Sequence, residues 1–255
     1  MALRLIVHAG FHKTGTTTLQ KTLAAHAELL RQHAQIMLRA DMVGLCEAAR
    51  TYSISRSEFD LGLVKYEAAL LAEDWSQDTV ILSSEDLSGH MPGRRGLTDY
   101  SAAPRLAQAM ADTWQSAAPG VHMNWFYTTR AATPWLASCH VQHVRAVRMT
   151  LDASEYAAQY MASADLDGIV AQIADRLTKT EVNALPLEAH GSDLTAPFLL
   201  AAQVPDAVRR QVTPVPPANT SPDADHMAAR LALNRSDLSD KAWRVARKEL
   251  GKRNT

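Results

Sequence analysis

Lys13, Glu85 and Arg130 stand at equivalent places in this chain, each shortly after an apolar run. Lys13 follows Leu3–Val7, Glu85 follows the run DTVILSS that begins at Asp78, and Arg130 follows VHMNWFYT, which begins at Val121. An ammonium and a guanidinium are charged at neutral pH and donate hydrogen bonds to phosphate oxygens, the guanidinium as a planar fork. A carboxylate beside them can take a proton from a reacting group. Together these residue types describe a site that holds an anion at two points and removes a proton from a second reactant.

The stretch around Lys13, LRLIVHAGFHKTGTTTLQ from Leu3 to Gln20, is the densest of the three. Leu3–Val7 fits a strand buried on both faces, His8–Thr14 a loop, and Thr16 onward a helix. The first amides of a helix lack internal partners and lie at the positive end of its dipole, so backbone, hydroxyls and Lys13 can surround a phosphate there. Gly10 and Gly15 have the spacing of the nucleotide-binding signature G-x-x-x-x-G-K-S/T, but Thr16 follows Gly15 and the lysine precedes it. This order, HKTGTTTLQ, resembles the 5′-phosphosulfate loop of the sulfotransferases, P-K-S/T-G-T-T-x-L. Lys13, Thr14, Gly15, Thr16, Thr17 and Leu19 match it, His12 replaces the proline, and Thr18 stands where many cytosolic members have Trp. The likeness is therefore nearer to the bacterial and glycan-modifying members.

Arg130, with Ser138 on the next expected helix in TTRAATPWLASCHVQHV, resembles a second element of that family, an Arg and a Ser that hold the donor's 3′-phosphate. The resemblance implies 3′-phosphoadenosine 5′-phosphosulfate (PAPS) as donor and 3′,5′-adenosine bisphosphate (PAP) as product. It implies in-line transfer of a sulfuryl group to a hydroxyl, an amine being the second choice, of a small-molecule or carbohydrate acceptor. Lys13, Thr14, Gly15, Thr16, Thr17 and Thr18 would contact the 5′ end of the donor, and Arg130 and Ser138 the 3′-phosphate. Glu85 would be the base, as in several bacterial and glycan-modifying members, and Lys13 would steady the leaving phosphate. His90 is the alternative base. No metal is required. Two other readings stand beside this one: a Mg-ATP-dependent kinase or nucleotide hydrolase with an atypical loop, for which Asp86 would be the metal-holding acid, and a non-catalytic nucleotide-binding protein of the same fold.

Other chemistry-bearing residues carry blander expectations. His8 and His12 flank the loop, with a structural role expected for both, although His12 can add a donor to the phosphosulfate. His140 and His143 have the spacing of two metal ligands on one helix face, but no third ligand is evident and solvated histidines are expected. The basic residues Lys241, Arg244, Arg247, Lys248, Lys252 and Arg253 are expected to form a solvated face, a contact with donor or acceptor being the alternative. Asn219 and Ser221 in PPANTSP fall where bacterial relatives often carry an Asn-x-Ser near the substrate cleft. The sequons beginning at Asn219 and Asn234 are taken as chance.

The elements that must position these residues follow from periodicity. Strands are expected at Leu3–Val7, Asp78–Ser84, Val121–Thr128 and Glu181–Leu187. Helices are expected from Thr16 to about His33, over Ser57–Trp75 and Ala102–Ala117, from Pro134 to about Met149 with Thr133 as N-cap, and over Leu151–Gln159, Asp165–Lys179 and Thr195–Gln203. Residues 34–53 suggest a short strand or turn and then a helix, and 90–100 an exposed loop; an acceptor pocket is expected from the 86–100 loop and the helices after residue 145. Strands alternating with helices imply an α/β fold, a parallel sheet flanked by helices in a P-loop nucleotide-hydrolase-like three-layer sandwich. A single domain over 1–255 is expected, with a Pro-rich linker at 204–222 and a helical C-terminal extension at 223–255. Hydrophobic residues at 47% and charged residues at 21% suit a globular chain. A net charge of −1 argues against a nucleic-acid surface. With no signal-like segment and no long apolar span, a cytoplasmic place without membrane contact is expected, its two cysteines reduced and buried.

Overall fold

The computed structural model describes residues 2–191, 193–216 and 224–252. Five strands, β1 (Arg4–His8), β2 (Gln35–Leu38), β3 (Thr79–Ser83), β4 (His122–Thr129) and β5 (Glu181–Pro186), form a sheet in the order β2-β3-β1-β4-β5. Every neighbouring pair is parallel. Successive side chains of a strand leave on opposite faces, and here both faces are covered, so the central strands read as continuous apolar runs rather than alternating ones. Leu5, Val7, Val80, Leu82, Trp125 and Tyr127 enter one core layer, and Ile6, Ile81 and Phe126 the other.

The two layers are built from different parts of the chain. The first is filled by Tyr52 of the helix Val43–Ser55, Val64 of Glu58–Glu73, Leu106, Met110 and Trp114 of Ala103–Ala117, and Ile173 of Leu166–Arg176. The second is filled by Leu19 and Leu23 of the helix Thr16–Ala25 and by Phe198 and Leu199 of Thr195–Ala201. The helix after β1 thus lies on one face of the sheet, while the helices after β3 and β4 lie on the other. Connections that part in this way open a crevice beyond the carboxyl ends of the strands, at the centre of the sheet. It is this crevice that receives the loops carrying Lys13, Glu85 and Arg130.

The α/β architecture, parallel sheet and C-terminal helices are as expected, with local differences. Residues 34–53 supply β2 and then the helix Val43–Ser55, the strand-and-helix form of the expectation there. Pro186 closes β5 at the sheet edge, where a missing amide costs least. The first helix stops at Ala25, because His26 leaves helical dihedrals and its ring accepts the Thr213 amide hydrogen. Thr133 is not an N-cap: the helix Ala132–Ala146 starts two residues before Pro134, and the amide of Ala131 donates to the Glu188 carboxylate instead. The Pro-rich segment contains a helical turn, Asp206–Arg209, and is tied to the first helix by a Val215 amide bond to the Thr22 hydroxyl. The loop after Ser88 is not simply exposed. His90 and Met91 are buried in it, and an added Cβ at Gly93 would lie 2.6 Å from the His143 ring.

The C-terminal helices Ala224–Asn234 and Asp240–Lys252 are latched to the body. Buried Asn234 donates to the carbonyls of Val144 and Met149 and accepts from the Trp243 indole. Arg247 stacks on Trp243 and donates to Ala146 O at the end of the helix Ala132–Ala146, so it is not part of a solvated face, whereas Lys241, Arg244 and Lys248 are exposed. Cys46 and Cys139 are free and buried. Asn219, Ser221 and Arg253 lie outside the described residues, as does the side chain of Lys252. Among the described residues no helix is long and apolar enough to cross a membrane.

Candidate functional site

The loop between β1 and its helix is held by its neighbours before any ligand is considered. The Tyr100 hydroxyl accepts from the His12 amide and lies 3.0 Å from His12 Nδ1. On the far side of that ring, Nε2 faces the Asp86 carboxylate at 3.4 Å, so the ring is held between the tyrosine and the acid. The Trp135 indole donates to His12 O, the Thr14 hydroxyl donates to Phe11 O, and Ser88 bonds Ala9 O. Lys13 sits at φ 68° and Gly15 at φ 93°, both in the left-handed region. For a lysine that conformation is unfavourable, and such residues persist where surrounding bonds over-determine them. At Gly15 a side chain is disfavoured by the backbone conformation, and a Cβ there would stand 2.7 Å from Leu194 Cδ1, which would have to move. Gly15 is the N-cap of the helix and no side chain caps it; the Thr18 amide turns back to Gly15 O, and the amides of Thr16 and Thr17 are left for an external acceptor.

This loop forms one wall of a cavity of about 530 Å³. Lys13, Gly15, Thr16, Thr17 and Thr18 line that wall, Glu85 enters from the end of β3, Arg130 from the end of β4, and Ser138 from the helix that follows. Eight of the nine residues singled out from sequence therefore face one space, counting these against the full set with Thr14. Thr14 is different. Its buried hydroxyl is spent on Phe11 O and on Thr128, 2.6 Å away, which leaves it a loop-fixing role rather than a side-chain contact.

Electrostatics sharpen the picture. Burial holds the Lys13 ammonium below its usual pKa; nearby Arg145 and Arg130 push the same way, against Cys139 and Glu85. An anion placed there would relieve that penalty. Arg130 also donates to Lys13 O at 3.3 Å, joining the two cationic ends through the loop backbone. Glu85 accepts a hydrogen bond from Gln20 Nε2 at 2.8 Å. Gln20 was missed from sequence, although it lies one turn beyond Thr16 and so shares that side of the helix.

Asp86, the acid a metal-dependent reading would use, is otherwise engaged. Burial opposes its charge, but bonds from His12 and Arg39 outweigh that and bring its pKa down to about 2. Arg39 Nε is 2.6 Å from the carboxylate, and Asp86 does not line the cavity. His90 does not line it either. Its amide donates to Ser53, and burial, with Arg50 and His12 adding to the effect, lowers its pKa to about 4. His8 lies beneath the loop between Ser83 and Thr128, lowered to about 4 by burial.

His140 and His143 are not solvated, contrary to expectation. Both are buried against the helix Ala153–Tyr160 and the segment before it: His140 Nε2 is 3.0 Å from Leu151 O and His143 Nδ1 is 2.8 Å from the Tyr156 hydroxyl. Among the described residues no group of three or more His, Cys, Asp or Glu side chains is placed to hold a metal ion. The sequence view also passed over Gln142, and it took Arg94 for an exposed loop residue; both line the cavity.

No protein-family model and no curated protein matches this chain. A solved structure to which it is similar is that of a sulfotransferase from Alicyclobacillus acidocaldarius, 19% identical, with an alignment covering 96% of this chain and 99% of that one at a TM-score of 0.49.

Proposed function

We propose that this protein is a sulfotransferase that moves a sulfuryl group from PAPS to an acceptor hydroxyl. The observation that carries the reading is the meeting, in one cavity, of the Lys13 loop with Glu85 and with Arg130 and Ser138. The residues present suit the donor's charge. An uncapped helix N-terminus behind a side-chain-free Gly15 and three cations, Lys13, Arg130 and Arg94, face the cavity, against one acid, Glu85.

When bound, the donor supplies an activated sulfuryl group on a phosphate leaving group. Lys13, the amides of Thr16 and Thr17 and their hydroxyls hold the 5′ end, and Arg130 and Ser138 hold the 3′-phosphate. Glu85, kept in place by Gln20, takes the proton from the acceptor hydroxyl. Lys13 stabilises the negative charge that develops on the departing phosphate oxygen. A new bond from acceptor oxygen to sulfur replaces the one from the leaving oxygen, and PAP departs. A sulfuryl group carries less charge than a terminal phosphoryl, so one lysine and backbone donors suffice where phosphoryl transfer recruits Mg²⁺.

The test is a thermal-shift titration with PAP on wild type, Lys13→Ala and Arg130→Ala. A ligand present at a hundred times its Kd stabilises the native state by about 2.7 kcal/mol, which the wild type is expected to show and both variants to lose. Stabilisation by Mg-ATP with no response to PAP would remove the proposal.

A further inference from the structure

The cavity holds one cation more than the donor's two ends require. Arg94 lines it from the loop between β3 and the helix Ala103–Ala117, on a different element from either donor-holding residue. Its side chain is not paired with an acid: no salt bridge to Arg94 occurs among the described residues, and its Nε is buried without a hydrogen-bond partner. Arg130, in contrast, already spends a donor on Lys13 O.

The loop that presents Arg94 is built. Gly93 takes φ 90°, a conformation that favours glycine, and packs where a Cβ would meet the His143 ring. The Gly93 amide donates to Leu97 O and the Leu97 amide to Arg94 O, at 2.8 and 2.9 Å, closing a short turn around the arginine. Beneath it His143 is fully buried, anchored to Tyr156, and its Nε2 is also without a partner. Gln142, the next residue to line the cavity along the helix after Ser138, supplies an amide on the same wall. A four-residue step along a helix is about 6 Å, so Gln142 lies beyond the proposed 3′-phosphate position. Burial, and then the charge of Arg94, hold His143 at about 3, which marks the positive field at this end.

Resting on the sulfotransferase reading, we infer that Arg94, with Gln142, receives an anionic group of the acceptor, a carboxylate, sulfate or phosphate, so that the acceptor is a negatively charged hydroxyl compound. A guanidinium in a partly desolvated wall, without an internal counter-ion, is matched by a planar or tetrahedral oxyanion. The same chemistry is offered by the donor's own phosphates, and the two sources can be separated.

The experiment uses the full chain as wild type, Arg94→Gln and Arg94→Lys. Each is first titrated with PAP, then, saturated with PAP, with inorganic sulfate at constant ionic strength, and melting midpoints are read. The expected result is an equal PAP shift in all three proteins, followed by a saturable sulfate shift whose midpoint concentration rises about tenfold or more in Arg94→Gln and less in Arg94→Lys. A PAP shift lost in Arg94→Gln assigns Arg94 to the donor and overturns the inference. A sulfate response absent from wild type, or equal in wild type and Arg94→Gln, overturns it as well. Absence of any PAP shift in wild type removes the sulfotransferase reading itself, a distinct outcome seen in the first titration.

Discussion

At the scale of the residue, the division of labour at Glu85 is the sharpest claim. Among the described residues its carboxylate has one side-chain donor, Gln20, and that bond both aims it and leaves its remaining lone pairs for an acceptor proton. Glu85→Gln is expected to reduce PAP release from PAPS, measured with a phenol as stand-in acceptor, by about 10²–10⁴-fold. Its PAP thermal shift should be unchanged. Gln20→Ala removes a single bond and should lower the same rate by only about 3–10-fold. Full activity in Glu85→Gln would place the base elsewhere. The identity of Glu85 as a candidate was legible because it ends an apolar run, but its partner was not, since Gln20 and Glu85 meet only through the packing of a helix against a neighbouring strand end. His90 sits nearby in sequence and yet outside the cavity, because its loop turns inward to bond Ser53.

At the scale of the element, the helix Ala132–Ala146 does three things at once. It presents Ser138 and Gln142 to the cavity, carries buried His143 under the loop of Arg94, and ends where the C-terminal pair is latched. Asn234 is the hinge pin of that latch, bonding carbonyls of Val144 and Met149 at 3.1 and 3.0 Å and receiving the Trp243 indole at 2.9 Å. Asn234→Ala strands these groups in a buried place and is expected to cost about 2–4 kcal/mol in urea denaturation while leaving PAP affinity intact. A loss near zero would show the latch to be incidental. The helices themselves were readable from periodicity, whereas their ends were not: Thr133 looked like a cap, but the start was set by Glu188 from another element.

At the scale of the whole molecule, three buried histidines in different places, His8, His90 and His143, tie stability to pH. Burial lowers them from 6.5 to about 4, 4 and 3. In the unfolded chain each binds its proton near pH 6.5, but in the folded chain only well below that, so the unfolded state gains protons first as pH falls. Stability from these groups is therefore complete above pH 6.5 and is lost as pH falls towards 4, each group contributing up to about 1.4 kcal/mol per pH unit inside its window. Asp86 works in a lower window, its contribution being lost only as pH falls from 3.8 towards about 2. Denaturation midpoints should thus drop clearly between pH 7 and pH 5, and less steeply in His8→Gln. A flat profile over that interval would contradict the neutral burial of these rings.

By itself the sequence determined the local matters: the strand, loop and helix around Lys13, the apolar runs that become β1, β3 and β4, and the placing of Glu85 and Arg130 at their ends. These follow from residue spacing and backbone preference, which act over a few residues and so can be read along the chain. Tertiary structure alone decided which of those ends meet. The order β2-β3-β1-β4-β5 sets Lys13 between Glu85 and Arg130 because β1 lies between β3 and β4, and nothing local to any strand encodes its neighbours. It likewise turned Thr14 inward to Thr128, brought Gln20 to Glu85, and drew Arg94 from an apparent surface loop into the cavity. Each of those outcomes depends on contacts between residues distant in sequence, where burial and hydrogen-bond satisfaction are settled only once the two core layers close on the sheet.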